Sequence, residues 1–544
     1  MDVLHFHART YIFILSRKVT QKNRFNQKQR CGFNGFSVFS ASFYNWIYGD
    51  SLSPCSNLAL PNLCCGSENL RKMLLFFSFL SPFTKFVGKK EKKAMMEWKR
   101  LISDRRLGKE GTANPTSERR TEFQRDFDRL IFSAPFRRMQ NKTQVFPLPG
   151  SVFVHNRLTH SLEVSSVGRS LGTDVAQELL LRHPELVTAG LNDMGAIVSA
   201  ACLAHDMGNP PFGHSGERAI RSFFSEGNGL SLASYVCENG DKLSDEEWAD
   251  LTHFDGNANT FRLLTHQFGG RRRGGYVMTY STLASIVKYP FESFLAGEKS
   301  KFGFFVSERE DYRRIADELG IPYQYIDGHL QAVRHPFVYL VEAADDICYE
   351  IMDIEDAYKL RLLSVEETER LLLGFFDREE QLDMLEKYPE GTDAGDRIAY
   401  LRSCVINTLE TACVKIFMEH EAEILAGTFQ GSLISHLPAD LQCAYKECER
   451  VAKGRIYSSK EVTDIDLAGY RIIYTLLELM TDAVIAPEKA YSQLLLGQVS
   501  SQYQLHAPRL VDRIMAVVDY ITGMTDVYAL DLYRKINGHS LPSI

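Results

Sequence analysis

Long apolar runs are missing from this 544-residue sequence. No window reaches the roughly 18–20 apolar residues that a membrane-spanning helix needs. The nearest approach, MLLFFSFLSPF at 73–83, is interrupted by Ser and Pro. TYIFILS at 10–16 follows a single Arg and lacks a small-residue cleavage site, so it makes a poor secretory signal. No CxxC pair or finger-like spacing organises the 11 cysteines, four of which fall in the first 94 residues. Reduced thiols in a cytoplasmic protein are the expectation. Sustained alternation of apolar and polar residues is also absent, which argues against a large sheet.

Charge of one sign is scarce where a nucleic-acid-coating protein would need it. The formal net charge is −7. Residues 1–94 hold 14 Lys+Arg against 4 Asp+Glu, so the remainder holds 48 against 65. An acidic body excludes general coating of nucleic acid, while leaving room for one local basic pocket. The basic first 94 residues are rich in Phe, Asn and Ser and show no sustained period. MEWKRLISDRRLGKE, from Met96, reads as an ordinary N-terminus. Residues 1–94 are therefore expected to be an over-extended start or an unstructured leader.

What remains is helical in pattern. TEFQRDFDRLIFSAPFRRM places Phe123, Phe127, Leu130 and Ile131 at helical spacing. Residues 160–182 carry Leu162, Val164, Val167, Leu171, Val175 and Leu179 on one side. GAIVSAACLAHD (195–206) is apolar nearly all round and reads as a buried helix. Residues 335–360 read as a long helix with Pro336 in its first turn. A short two-stranded piece is expected at 143–155, around Pro149-Gly150. The fold class is mainly α: a core over 95–370 and a C-terminal helical region over 371–544.

One stretch is too dense in chemistry for a simple scaffold. LAHDMGNPPFGHSGE (203–217) carries His205, Asp206, His214 and Glu217 within thirteen positions. His160 opens another helix, and Asp345-Asp346 interrupts the apolar face of the 335–360 helix. A buried carboxylate pair is costly without a partner, and a divalent metal would be one. Histidine nitrogens and carboxylate oxygens suit such ions. A lone histidine is more often a cap or a surface residue; the order H…HD…D is what adds weight.

NRLTHSLEV (156–164), LAHDMGNPPFGHSGE (203–217) and VEAADDICYEIMDIEDA (341–357) together resemble the bacterial dGTP triphosphohydrolases of the HD-domain superfamily. RMQNKTQVFPL (138–148) and STLASIVKYP (281–290) are similar to the same family. The resemblance covers most of residues 96–540. It implies an HD-domain helical fold and cleavage of dGTP, or other dNTPs, to deoxynucleoside and triphosphate by attack of water at the α-phosphorus. It implies a divalent cation, Mg²⁺ or Mn²⁺, held by His160, His205, Asp206 and Asp345. His214 and Glu217 resemble the catalytic pair. Gln144, Arg157, Lys288, Tyr289, Tyr349 and Asp353 match substrate-binding positions. Asp345, Tyr349 and Asp353, four apart, would share nearly one helix face, with Asp346 turned elsewhere. HFDGNAN puts His253 and Asn257 near the pocket, with Asp255 where the family run has Glu.

The resemblance also implies a homo-oligomer, tetramer or hexamer. The Arg271–Arg273 run is a candidate contact for an allosteric nucleotide or single-stranded DNA, and GRIYSSKEV (454–462) for a regulatory contact. His155, His183, His266 and His335 are assigned to structure. Two rival readings are a general HD phosphohydrolase acting on nucleoside monophosphates or cyclic dinucleotides, and a nucleotide-sensing regulator with a degenerate site.

Overall fold

The computed structural model describes residues 95–110, 120–146, 154–297, 300–388 and 391–539. The expectations for residues 1–94 lie outside them. Among the described residues the fold is helical, with one two-stranded antiparallel hairpin. Its principal helices are α1 (Glu122–Ile131), α2 (Arg157–Arg182), α3 (Met194–Ala204), α4 (Gly213–Ser225), α5 (Asp245–Thr252) and α6 (Gly256–Thr265). The hairpin β1 (Tyr323–Ile326) and β2 (His329–Ala332) precedes α7 (Pro336–Lys359). Then come α8 (Ala394–Glu419), α9 (Ala439–Val451), α10 (Lys460–Ile485), α11 (Leu510–Thr522) and α12 (Asp526–Ile536). No helix among the described residues is long and apolar enough to cross a membrane.

Local chemistry sets the element boundaries. The single helical pattern read across 121–139 is broken in two. Ser133 accepts the amide of Phe136 and, with Pro135 behind it, starts a new short helix, Ala134–Arg138. Asn156 caps α2 by accepting from the amides of Leu158 and Thr159. His335 caps α7 through the amide of Phe337.

The two-stranded piece expected at 143–155 lies largely outside the described residues. There the described residues show one isolated antiparallel bridge, Thr143 with Asn156, and residues 147–153 lie outside them. The observed hairpin turns at Asp327-Gly328, with φ of 51° and 89°. Asp-Gly between Tyr-Gln-Tyr-Ile and His-Leu-Gln-Ala is the signature of a two-residue turn that needs positive φ twice.

Two apolar cores divide the described helices. One gathers α2, α3, α7, α8 and α9; the other gathers α4, α10 and α11. The residues beyond 370 are thus shared between both cores. Within the first core, α2 and α3 lie unusually close. A Cβ on Gly172 would stand 3.0 Å from the Cα of Gly195, and one on Gly168 would stand 2.4 Å from Cys202 Sγ. That approach brings the start of α2, with His160, beside the end of α3, where His205 and Asp206 follow.

Candidate metal centre and catalytic cleft

His160 and His205 meet edge to face, with ring centroids 5.5 Å apart. His160 Nε2 is 3.1 Å from Asp345 Oδ1, on α7. His205 Nε2 is 3.4 Å from the same oxygen and 3.6 Å from Asp206 Oδ1. The donor atoms of His160, His205 and Asp206 all lie within 4.8 Å of one another. All four residues predicted as metal ligands are thus brought together, although 185 positions separate the first from the last.

Orientation comes from the shell around them. His205 Nδ1–H donates to the Cys202 carbonyl at 2.6 Å. That bond turns Nε2 toward the carboxylates, the way a metal-binding imidazole is usually held. Nε2 is buried and has no hydrogen-bond partner. Asp206 accepts from Asn209 Nδ2 at 2.6 Å and from the Arg157 guanidinium. Burial opposes ionisation of Asp345, but His205 and His160 hold it well below the usual carboxylate range. Burial likewise opposes charge on His205, yet Asp206 and Asp345 raise its imidazole to about 9. An unpartnered imidazole nitrogen facing ionised carboxylates fits a divalent cation, which would displace the proton on His205.

The cluster opens into a cleft. Gln144, Arg157, His214, Glu217, Lys288, Tyr289, Tyr349 and Asn257 line it. The GNPPFG turn reaches the cleft under constraint. A Cβ on Gly208 would lie 2.1 Å from the amide nitrogen of Thr260, so the chain passes directly over α6. Phe212, a non-glycine residue, takes φ of 60°. Its amide donates to Asp526 Oδ1 at 2.9 Å, and Asp526 Oδ2 also accepts from the amide of Thr143 at 2.7 Å. One carboxylate at the start of α12 therefore positions the turn before His214 and the bridge residue before Gln144. Gln144 Oε1 is buried without a partner.

Three predicted placements differ. Glu217 is not paired with His214. Its Oε1 accepts from the Gly256 amide at 2.8 Å, and its Oε2 faces Lys301 at 3.7 Å and Arg221 at 3.8 Å. The unsatisfied amide at the start of α6 attracts the carboxylate more strongly than an exposed imidazole. Asp353 does not line the cleft; it is buried and accepts from the Tyr457 hydroxyl at 2.7 Å. Each four-residue step turns about 40°, so the third residue of the series is about 80° away from Asp345. His253 lies at the end of α5, its Nδ1 3.0 Å from the Ala249 carbonyl, outside the cleft lining.

Other residues emerge only here. Lys301 lines the cleft and pairs with Asp255 at 3.1 Å. Burial works against its charge, but Glu217 and Asp255 raise its pKa. Glu342 holds Lys288 at 3.2 Å and, despite burial, keeps that lysine protonated. Asp346 is raised to about 7, first by burial, and its carbonyl accepts from Tyr445. The sequence signals for Asn209 and Lys301 were present in GNPPFG and KSKFGFF, but nothing local distinguished them. GRIYSSKEV contributes Tyr457 to Asp353 within the chain. Arg271 packs over Tyr276 at 4.2 Å and lines a separate cleft with Arg138 and Lys142. His155 bridges Asp356 and Glu163, His266 faces Glu308, and buried His335 caps α7.

Residues 157–290 match the HD domain, and residues 435–535 match the phosphohydrolase-associated domain. The helical fold, the histidine–aspartate cluster and these two matches define an HD-domain phosphohydrolase. A deoxyguanosinetriphosphate triphosphohydrolase-like protein of Pseudomonas aeruginosa (strain LESB58) is 37% identical over 476 residues, covering 82% of this chain and 100% of that protein. One from Synechocystis is 38% identical over 462 residues, with the same coverage. The deoxyguanosinetriphosphate triphosphohydrolase of Yersinia enterocolitica is 30% identical over 518 residues, covering 81% and 99%. The chain belongs to the dGTP triphosphohydrolase family of the HD-domain superfamily.

Proposed function

We propose that this protein hydrolyses dGTP, and other dNTPs to an extent set by the pocket, to deoxynucleoside and inorganic triphosphate. The observation that carries this is the arrangement of the cleft. A cation-binding cluster forms one end, and Arg157, Lys288 and Lys301 supply positive charge beside it. Water adds to the α-phosphorus, the bond to the 5′ oxygen breaks, and a proton passes to that oxygen. A bound divalent cation, Mg²⁺ or Mn²⁺, would supply Lewis-acid polarisation of a phosphoryl oxygen. His214, exposed on the cleft wall, handles the proton. Glu217 acts through α6 and Lys301, keeping the wall beside His214 in place. Lys288 and Lys301 offset the charge of the triphosphate in a partly dry site. The buried oxygen of Gln144 suits a sugar hydroxyl. Tyr349, on the cleft wall, would pack against C2′ of the sugar and leave no room for a ribose hydroxyl, so GTP should be a far poorer substrate than dGTP.

The test is chromatographic. Each dNTP is incubated singly and in pairs with Mg²⁺ or Mn²⁺, and the products are separated on an anion exchanger. Deoxynucleoside plus triphosphate is expected. Release of pyrophosphate with a monophosphate, or activity confined to monophosphates or cyclic dinucleotides, would replace this reading with the general HD phosphohydrolase.

A further inference from the structure

Away from the cleft, another histidine converges on carboxylates. Glu246 on α5, Glu292 in the segment after Tyr289, and His329 at the start of β2 offer donor atoms all within 4.8 Å of one another. Glu292 and His329 are buried, at 0% and 6% exposure. His329 Nδ1 lies 3.4 Å from Glu246 Oε1 and 3.6 Å from Glu292 Oε2. It has no hydrogen-bond partner. Phe294 stacks flat on the imidazole at 4.1 Å, which fixes the plane of the ring. Glu292 Oε1 is taken by the Leu330 amide at 2.6 Å, leaving Oε2 for the cluster.

The spacings are informative. They exceed the roughly 2.7–3.2 Å of an N–H···O hydrogen bond. Zinc bonds of about 2.0–2.2 Å place neighbouring donors of a tetrahedron about 3.3–3.6 Å apart. The same 3.4 and 3.6 Å separate His205 Nε2 from Asp345 and Asp206 in the catalytic cluster. One group competes for the position. Arg309 Nη2 contacts Glu246 Oε1 at 3.0 Å and also Glu292 Oε2. Yet the Arg309 Nε is itself buried without a partner, and the guanidinium leaves His329 Nδ1 unsatisfied. The Arg309 side chain is 22% exposed, so it has a way out to solvent.

We propose that Glu246, Glu292 and His329 form a second divalent-cation site, suited to a transition metal such as Zn²⁺, which is entered by displacement of Arg309. One imidazole and two carboxylates match the ligand preference of that class. The site ties together three stretches distant in sequence. Glu292 N–H donates to the Leu330 carbonyl at 3.3 Å, and Ala332 N–H donates to the Pro290 carbonyl at 2.8 Å. The hairpin is thus paired to the segment that follows Lys288 and Tyr289. A cation here braces that wall of the cleft without touching substrate.

The experiment counts ions on the full chain. Chelator-stripped protein is equilibrated with Zn²⁺, passed over a desalting column and assayed by plasma emission, with calorimetric titration alongside. Wild type should retain two ions per chain, and Asp206→Ala and Glu246→Gln one each. Glu246 is at a partly exposed position, so its conservative variant should keep the wild-type circular dichroism; His329→Gln is the second variant. Arg309→Ala should tighten the second site at least tenfold. A single ion in wild type, unchanged in Glu246→Gln and His329→Gln, overturns the proposal and leaves Arg309 as the resident cation. Two ions with no gain in Arg309→Ala overturns entry by displacement.

Discussion

Replacing His214 by alanine separates chemistry from architecture. His214 is the second residue of α4 and is exposed at the cleft wall. Among the described residues, no hydrogen bond or ion pair ties it to His160, His205, Asp206 or Asp345. Truncating an exposed side chain of this kind changes stability by no more than about 0.5 kcal/mol. Proton transfer by a positioned group contributes about 10²–10⁴ in rate. At about 1.36 kcal/mol per decade, that is roughly 2.7–5.4 kcal/mol of barrier. The variant should therefore lose two to four decades of kcat, with its Tm and metal content those of wild type. Triphosphate release at saturating dGTP gives kcat, differential scanning calorimetry gives Tm, and plasma emission gives the metal count. A kcat within threefold of wild type would refute the assignment. So would loss of a metal ion in the same variant, because His214 would then be a ligand.

Two further outcomes follow from buried charge. Arg262 donates to both oxygens of Asp519, at 2.9 and 2.8 Å, and to Glu308 at 2.9 Å, all nearly fully buried. Arg262→Met strands two carboxylates and should cost about 3–5 kcal/mol in urea unfolding; a loss under 1 kcal/mol would mean that water already reaches the network. His155 offers a pH signature. Burial disfavours its charge, but Asp356 and Glu163 raise it from 6.5 to about 10. A raised histidine stabilises fully below the unfolded value and loses that contribution as pH climbs through the folded one. Wild type should lose stability between about pH 6.5 and 10 relative to Asp356→Asn, so the gap between their urea midpoints should narrow over that interval. A constant gap would show that His155 is neutral throughout.

Much of the scaffold was legible because helices are local. The apolar spacing of 160–182, the all-round apolar 195–206 and Pro336 at the start of a long run each correspond to an observed helix. The hairpin at Asp327-Gly328, whose φ values are both positive, is hard to see in the sequence because its two strands are only four residues long and show little period. The break at Ser133 is hidden in the sequence because a capping serine competes with an apolar period that runs straight past it. The four-ligand cluster was read through family resemblance in the order H…HD…D; spacing within any one segment would not have joined His160 to Asp345.

Helical period and capping chemistry, both local, determined from the sequence alone where α2, α3 and α7 run and which of their faces are apolar. They also placed His160, His205 and Asp345 at or beside helices able to present them. Only the tertiary structure decided where each polar group found its partner. Glu217 turned to the Gly256 amide, Asp353 to Tyr457, and Asp526 reached across from α12 to hold both sides of the cleft. The reason is physical. A helical period sets an angle about one axis, whereas a buried donor or acceptor goes to whichever unsatisfied group packing brings within about 3 Å.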